Sequence, residues 1–258
     1  MLFKLIFSIA IPKPRIENYD SYLFIGPHPD DIEIGAGATV AKLVEMGKKV
    51  TFLIATDGRY GTRDDNIELE DLVRIRQNEA VEGAAALGVK DVVFLPFRDG
   101  GQYDKGEMTL AFAKEIARIK PDMVIAPDPK LPSEMHLDHI NTGEAASHSL
   151  ILSDTPRFMK EQGLEAHGVK AIAFYYTARP NRYVRVTKTV KTAIEAIKKH
   201  ASQFPQTTTE GAYYLKMLKL YLNIQGIRYG LRCFSRRAQG FKVYDARHIH
   251  CGPEAELL

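Results

Sequence analysis

The sequence predicts an α/β fold: a mostly parallel sheet with helices on both faces, followed by a C-terminal α/β elaboration. Three observations lead there. Short apolar runs alternate with longer stretches of helical periodicity through the first half of the chain. The runs are apolar almost throughout, as in "KVTFLIAT" (49–56), which is the pattern of strands covered on both faces. Each run is followed by a loop rich in His, Asp, Arg or Gly.

The elements follow in order. "YLFIG" (22–26) is the first strand, and "GATVAKLVEMG" after it is a helix closed by Gly47. Residues 49–56 are the second strand. "ELEDLVRIRQNEAVEGAAALG" (68–88) is a long helix that again ends on Gly. "DVVFLP" (91–96) is the third strand, "MTLAFAKEIARIK" a helix stopped by Pro121, and "DMVIAP" (122–127) the fourth strand. This rhythm gives right-handed crossovers and a Rossmann-like sheet. The second half is less regular. "HINTGEAASHSLILS" reads as a helix, "AIAFYYTA" and "RYVRV" as strands joined by "RPN", and 188–201 and 209–224 as helices. With no repeat and no linker, 1–258 reads as one domain, with a core at about 21–150 and an elaboration at about 151–258.

The chain of 258 residues is long enough to bury a substantial core. At 45% hydrophobic and 26% charged it has the composition of a soluble globular protein. A net charge of +3, with basic residues scattered among acids, argues against nucleic acid as a partner. "KTVKTAIEAIKK" and "RYGLRCFSRR" are the most basic stretches, and read as solvated faces or an anion-binding rim. Two cysteines, Cys233 and Cys251, exclude a disulfide framework. With no secretory signal, they point to a cytoplasmic protein. The N-terminal "MLFKLIFSIAIP" is broken by Lys4 and Pro12 and is too short to span a bilayer. It reads as a docked terminal segment whose apolar surface suits a subunit contact, and hence a homo-oligomer.

In an open parallel sheet, ligands bind at the carboxyl ends of the strands. "PHPDD" follows the first strand, "TDGRYGT" the second, "FRDGG" the third and "PDPKLPSEMHLDH" the fourth. The chemistry-bearing residues therefore converge on one edge. A dinucleotide site fails on placement. Gly35 and Gly37 have G-x-G spacing, but His28, Asp30, Asp31 and Glu33 come between them and the strand, and those carboxylates would repel a pyrophosphate. A metal fits better. His28 and Asp31 form H-x-x-D, and "HLDH" brings His136, Asp138 and His139 from the fourth loop. Two His and one Asp leave a coordination position open, as catalytic sites do.

"PHPDDIEIGAGATVAKL", "TDGRYGT", "RIRQNEA", "FRDG" and "HLDHINTG" occur here in that order. Together they resemble the PIG-L/LmbE-like family of zinc-dependent N-acetylglucosaminyl deacetylases over about 21–150. "HASQFP", "GIRYG" and "PDPKLPSEMHLDH" look most like the archaeal diacetylchitobiose deacetylases within it, and "FKVYDARHIHCG" matches more loosely. The resemblance implies His28, Asp31 and His139 as ligands of one Zn²⁺ per subunit, though other divalent ions suit such a set. It implies Asp30 as general base and His136 as the residue that stabilises the oxyanion or protonates the leaving amine. Arg76 and Asp99 match positions expected to touch the sugar or orient the catalytic His. His250, in "RHIHC", matches a His near the C-terminus of the archaeal members, and is expected at an active site, its own or a neighbour's.

The chemistry agrees. Amide hydrolysis needs a nucleophile, a stabilised oxyanion and a protonated leaving amine. Asp30, beside ligand Asp31, is free to point at the attacking water. His136 can meet the oxyanion as an imidazolium, with Asp99 as its carboxylate partner. Asp138 is expected to cap its helix. Asp57 reads as a partner to a site residue or as a loop stabiliser, and Arg76 has a bland alternative, an ion pair with Glu79. The expected reaction is N-deacetylation of a GlcNAc-containing saccharide, diacetylchitobiose or GlcNAc first, and a GlcNAc conjugate of malate or inositol type second. A non-catalytic carbohydrate- or nucleotide-binding module is the competing class.

Overall fold

A computed structural model describes residues 12–248, apart from 63, 65, 206 and 207, together with residue 9. The N-terminal apolar stretch, His250 and Cys251 lie outside the described residues.

The strands are β1 (Ser21–Gly26), β2 (Lys49–Thr56), β3 (Asp91–Phe97), β4 (Met123–Pro127), β5 (Ala171–Tyr175), β6 (Arg182–Arg185) and β7 (Ala238–Asp245). The helices are α1 (Asp31–Glu45), α2 (Leu69–Ala86), α3 (Lys105–Ile119), α4 (Leu137–Ser153), α5 (Pro156–Glu161), α6 (Val190–Ile197) and α7 (Thr209–Leu231). One sheet runs in the order β3-β2-β1-β4-β5-β7-β6. The first five strands in that order are parallel; β7 is antiparallel to both of its neighbours.

Alternation along each strand divides the core into two layers. Tyr22, Phe24, Phe52 and Ile54 pack on one side, with Val40 and Leu43 of α1, Ala84 of α2 and Ala193 of α6. Leu23, Ile25, Leu53 and Val124 pack on the other, with Met108, Phe112 and Ile116 of α3 and Leu150 of α4. Truncating a fully buried ring such as Phe52 to Ala would cost about 3–5 kcal/mol.

Strand order reverses between β1 and β4, where connections leave in opposite directions. A crevice opens at such a point, at the carboxyl ends of the strands. His28 follows β1 and His139 follows β4, so the fold itself sets them face to face.

Several elements differ from expectation. Helix α1 begins at Asp31, six residues ahead of Gly37, so both glycines of "GAG" lie inside it. A Cβ on Gly35 would stand 2.4 Å from the Tyr175 ring. Glycine there lets the helix settle on the sheet, and no phosphate loop exists. Strands β5 and β6 are not a hairpin, because β7 lies between them. Helix α5 and strand β7 were not expected at all. The strand "AQGFKVYD" buries only Ala238, Phe241 and Val243, and its Gly and Lys dilute the strand signal.

Candidate metal centre

The turn after β1 is held rather than free. Its last residue, Asp30, has φ 122°, a region costly for any residue but glycine. It stands at the N-cap of α1, yet its side chain makes no capping bond. The carboxylate is thereby left for the site. Arg76 of α2 secures the turn: Nη2 donates to the Pro29 carbonyl at 2.8 Å and lies 3.4 Å from Asp30 Oδ2. Nη1 donates to the Gly58 carbonyl at 2.8 Å. This fit explains two glycines of "TDGRYGT". A Cβ on Gly58 or Gly61 would meet Nη1 at 2.5 or 2.1 Å, and Gly58 has φ +65°.

His28, Asp31 and His139 bring one ligand atom each to within 4.8 Å of one another. Asp31 Oδ2 is 3.1 Å from His28 Nδ1 and 3.4 Å from His139 Nε2. The other nitrogen of each ring faces a carboxylate outside this set. His28 Nε2 is 3.3 Å from both Asp99 Oδ1 and Asp138 Oδ2, and His139 Nδ1 is 2.9 Å from Glu134 Oε2. Such partners hold a proton on the outer nitrogen and present the inner lone pair to a cation. The donor set therefore fits a divalent ion with a position left open.

His28, Asp99, His136 and Asp138 form a second, overlapping group. Its donors are already engaged. Asp138 accepts from the amides of Gly100 and Gly101 at 2.8 and 2.9 Å and from the Tyr103 hydroxyl at 2.6 Å. His136 Nδ1 accepts from the Asp138 amide.

The charges follow from this packing. Burial pushes the Asp30 carboxyl up and Asp31 adds to it, outweighing the opposing Arg76, so that its pKa rises to about 6. Burial opposes the charge on Asp31, but the two imidazoles hold it well below the usual carboxylate range. Burial likewise opposes a charged His139, yet Asp31 and Glu134 raise it to about 9. Burial, with His28 and His139 nearby, pulls His136 below the ordinary imidazole value.

The sequence-derived residues are found as follows. His28, Asp31, His136 and His139 cluster, and Asp30, next to Asp31 in the chain, feels the charges of Asp31 and His28. Arg76 sits behind it, 3% exposed, with its guanidinium engaged by protein oxygens, so it braces the loop instead of facing a ligand. Its alternative partner Glu79 instead accepts from the amide and hydroxyl of Ser202. Asp99 adjoins His28, while the carboxylate beside His136 Nδ1 is that of Asp138, at 3.6 Å. Asp138 does not cap α4; His136 takes that position with its own ring. Asp57 ties loops together, accepting from the amides of Arg59 and Asp99.

Several residues were missed. Glu134, two residues before "HLDH", gave its only signal as an acid in a Pro-rich loop. Tyr176 lay hidden inside an apparent strand. Its ring stacks on His139 with centroids 6.0 Å apart, and its hydroxyl donates to the Asp31 carbonyl at 3.3 Å. His200 and Glu33, both fully buried, pair at 3.2 Å beneath α1.

Fold and site together define a class: a Rossmann-like protein with a two-histidine, one-aspartate cradle at the switch point of its sheet. Comparison with known proteins makes this specific. A family model described as PIG-L, GlcNAc-PI de-N-acetylase, matches residues 23–150. Diacetylchitobiose deacetylase of Thermococcus kodakarensis is 32% identical over 262 residues, covering 100% of this chain and 94% of the relative. The structure of N,N'-diacetylchitobiose deacetylase from Pyrococcus horikoshii, in complex with its inhibitor MPG, superposes with a TM-score of 0.85 at 34% identity. That match covers 94% of this chain and 90% of the other. The chain belongs to the PIG-L deacetylase family. A hydratase from Pseudomonas putida, 18% identical with a TM-score of 0.73, shares the fold alone.

Proposed function

We propose that this chain hydrolyses the N-acetyl group of a GlcNAc-bearing saccharide, with N,N'-diacetylchitobiose or GlcNAc as substrate. The observation that carries the reading is Asp30. Its carboxylate makes no capping bond, adjoins the ligand set through its neighbour Asp31, and has a pKa near 6 that suits a general base. Full-length similarity to diacetylchitobiose deacetylase supports the substrate class.

His28, Asp31 and His139 would hold one Zn²⁺, their nitrogen and oxygen donors suiting that ion. When bound, it supplies Lewis acidity at the acetyl carbonyl and acidifies water. The chain's own groups do the rest. Asp30 takes the proton as water attacks the acetyl carbon. His136 accepts at Nδ1 from the Asp138 amide, so its proton sits on Nε2, which can donate a hydrogen bond to the developing oxyanion. This differs from the imidazolium expected from sequence, because burial and two neighbouring imidazoles disfavour a charged His136. The C–N bond then breaks as Asp30 returns the proton it took from water to the sugar nitrogen, and the amine and acetate leave. Glu134 and Asp138 orient rings, and Arg76 holds the Asp30 turn.

One domain is part of this reading, supported by β5, β6 and β7 extending the sheet of β1–β4. So is a cytoplasmic location, supported by the sparse cysteines. No helix among the described residues is long and apolar enough to cross a membrane. Self-association is the third part, and α7 supports it. Tyr213, Met217, Leu220, Ile224, Ile227 and Leu231 are all exposed and alternate four and three residues apart, the seam of a helix that packs on another. Light scattering should give an oligomer for the native chain and a smaller species for Ile224→Glu.

Acetate release from diacetylchitobiose tests the reaction, with metal-depleted protein and with protein restored by one equivalent of Zn²⁺. Release only after restoration, abolished in Asp30→Asn, is expected. Zinc uptake without release from any N-acetyl sugar would overturn the assignment.

A further inference from the structure

The segment after α6 bears no residue of the metal centre, yet "HASQ" (200–203) reaches three elements that surround the Asp30 turn. His200, fully buried, pairs with Glu33 in the first turn of α1 at 3.2 Å. Gly83 of α2 makes room for that pair, since a Cβ there would stand 2.5 Å from Glu33 Oε1 and 2.9 Å from His200 Nε2. Ser202 donates from its amide and its hydroxyl to the Glu79 carboxylate of α2, at 2.7 and 2.6 Å. Gln203 Nε2 donates to the Gly61 carbonyl, in the loop after β2, at 2.6 Å. Anchors on two helices thus fix the backbone from which Gln203 projects.

From Gln203 a continuous set of hydrogen bonds leads to Asp30. The Gly61 amide donates to the Gly58 carbonyl at 3.0 Å. That carbonyl also accepts from Arg76 Nη1, and Arg76 Nη2 donates to the Pro29 carbonyl. Arg76 Nε has no partner among the described residues, so two carbonyls and Asp30 Oδ2 aim the guanidinium. The loop that offers Gly58 is soft in itself, because Gly58 and Gly61 lack the Cβ that restricts a backbone. Asp57 and Asp99 tie its first half, accepting from the amides of Arg59 and Tyr60. Gln203 ties its far end. Asp30 needs this support, since its φ of 122° persists only where the surroundings impose it.

We propose that Gln203 is a positioning residue for the general base: by holding the Gly61 carbonyl it keeps the Arg76 fork on the Pro29–Asp30 turn, and so keeps the Asp30 carboxylate on the attacking water, an assignment that rests on the deacetylase reading for what Asp30 does. The metal-ligating rings lie outside this chain of bonds. His28 is oriented by Asp99 and Asp138, and His139 by Glu134. Loss of the Gln203 donor therefore displaces the base and spares the ligand set. A displaced base costs rate, and a shift of about 1 Å can be worth roughly 100-fold.

Gln203→Met keeps the length of the side chain and removes the donor. Tyr22→Phe is the control for lost stability, because it removes a buried hydroxyl bond to the Ile16 carbonyl, 2.6 Å long, at the opposite end of β1. Kinetics on diacetylchitobiose with the metal-loaded full chain should show kcat down roughly 10–100-fold in Gln203→Met, with KM and metal affinity within about twofold of the native values. Tyr22→Phe should leave kcat unchanged. Hydrogen exchange read by mass spectrometry should quicken at residues 28–34 and 58–61 in Gln203→Met and not in Tyr22→Phe. An unchanged kcat, a fall that Tyr22→Phe matches, or a loss of metal affinity in step with kcat overturns the proposal. A native enzyme that releases no acetate from any N-acetyl sugar sinks the deacetylase reading instead. Exchange then decides the link from Gln203 to the Asp30 turn: quickening at residues 28–34 upholds it, and unchanged exchange overturns it.

Discussion

Glu134 Oε2 stands 2.9 Å from His139 Nδ1, on the ring nitrogen turned away from Asp31. That contact fixes both the tautomer and the aim of the ring. Glu134→Gln keeps the shape but removes the charge, and affinity for a divalent metal should fall about 10–100-fold. Competition against a chromogenic chelator measures this. Unchanged affinity would mean the ring is oriented by Tyr176 alone.

Metal loading should expel protons. Asp31 and Glu134 hold the metal-free His139 at about 9, so it is protonated at neutral pH and must lose that proton to become a ligand. Affinity should therefore rise with pH up to about 9. Calorimetry in buffers of different ionisation heat should count at least one proton released per ion near neutrality. A count of zero would remove His139 from the ligand set.

Arg76 invites a paired substitution. Arg76→Met leaves the Pro29 and Gly58 carbonyls without donors, at about 1–3 kcal/mol each, read from thermal unfolding. It also removes the cation that lowers the Asp30 pKa. A base works only when ionised, so the acid limb of kcat/KM should move to higher pH. Arg76→Lys restores the charge but not the fork, and should return the limb while leaving most of the stability loss.

Asp122 links the starts of β1 and β4. It accepts from the amides of Asp20 and Ser21 at 3.1 Å each and pairs with Lys170 at 2.6 Å. Burial pushes its pKa up, but Lys170 and those amides bring it down to about 2. A depressed carboxylate stabilises above its unfolded value and loses that contribution as pH falls through the folded one. Asp122→Asn should cost roughly 1–2 kcal/mol at neutral pH, with the difference vanishing near pH 2. Denaturant titrations at several pH values give the curve.

Much of this was legible in the chain. Strands β1–β4 announced themselves as unbroken apolar runs, and two short motifs on strands adjacent in the sheet placed His28, Asp31 and His139 together. The helix expected from Gly37 starts six residues earlier, at Asp31, although glycine is a poor helix former. Contact with Tyr175 outweighs that propensity. The role of Asp138 was hidden for another reason. Two polar side chains at one helix start compete for the cap, and the amides of Gly100 and Gly101, remote in sequence, decide between them. Arg76 was ambiguous because helix periodicity says which residues share a face but not what the neighbouring loops offer.

The position of β7 sets an order of assembly. The loops bearing His28, Asp31, Asp99 and His139 all precede residue 154, and their strands can pair as they are made. Strand β6 cannot, since its hydrogen-bonding partner is residues 238–245, more than fifty positions later. Gln239 and Gly240 of that late strand line the cavity that His139 opens into. A chain still in synthesis can thus possess the loops of its candidate metal centre well before it possesses the far wall of the cavity beside them. A stop within α7 would leave the residues of the candidate metal centre without that wall.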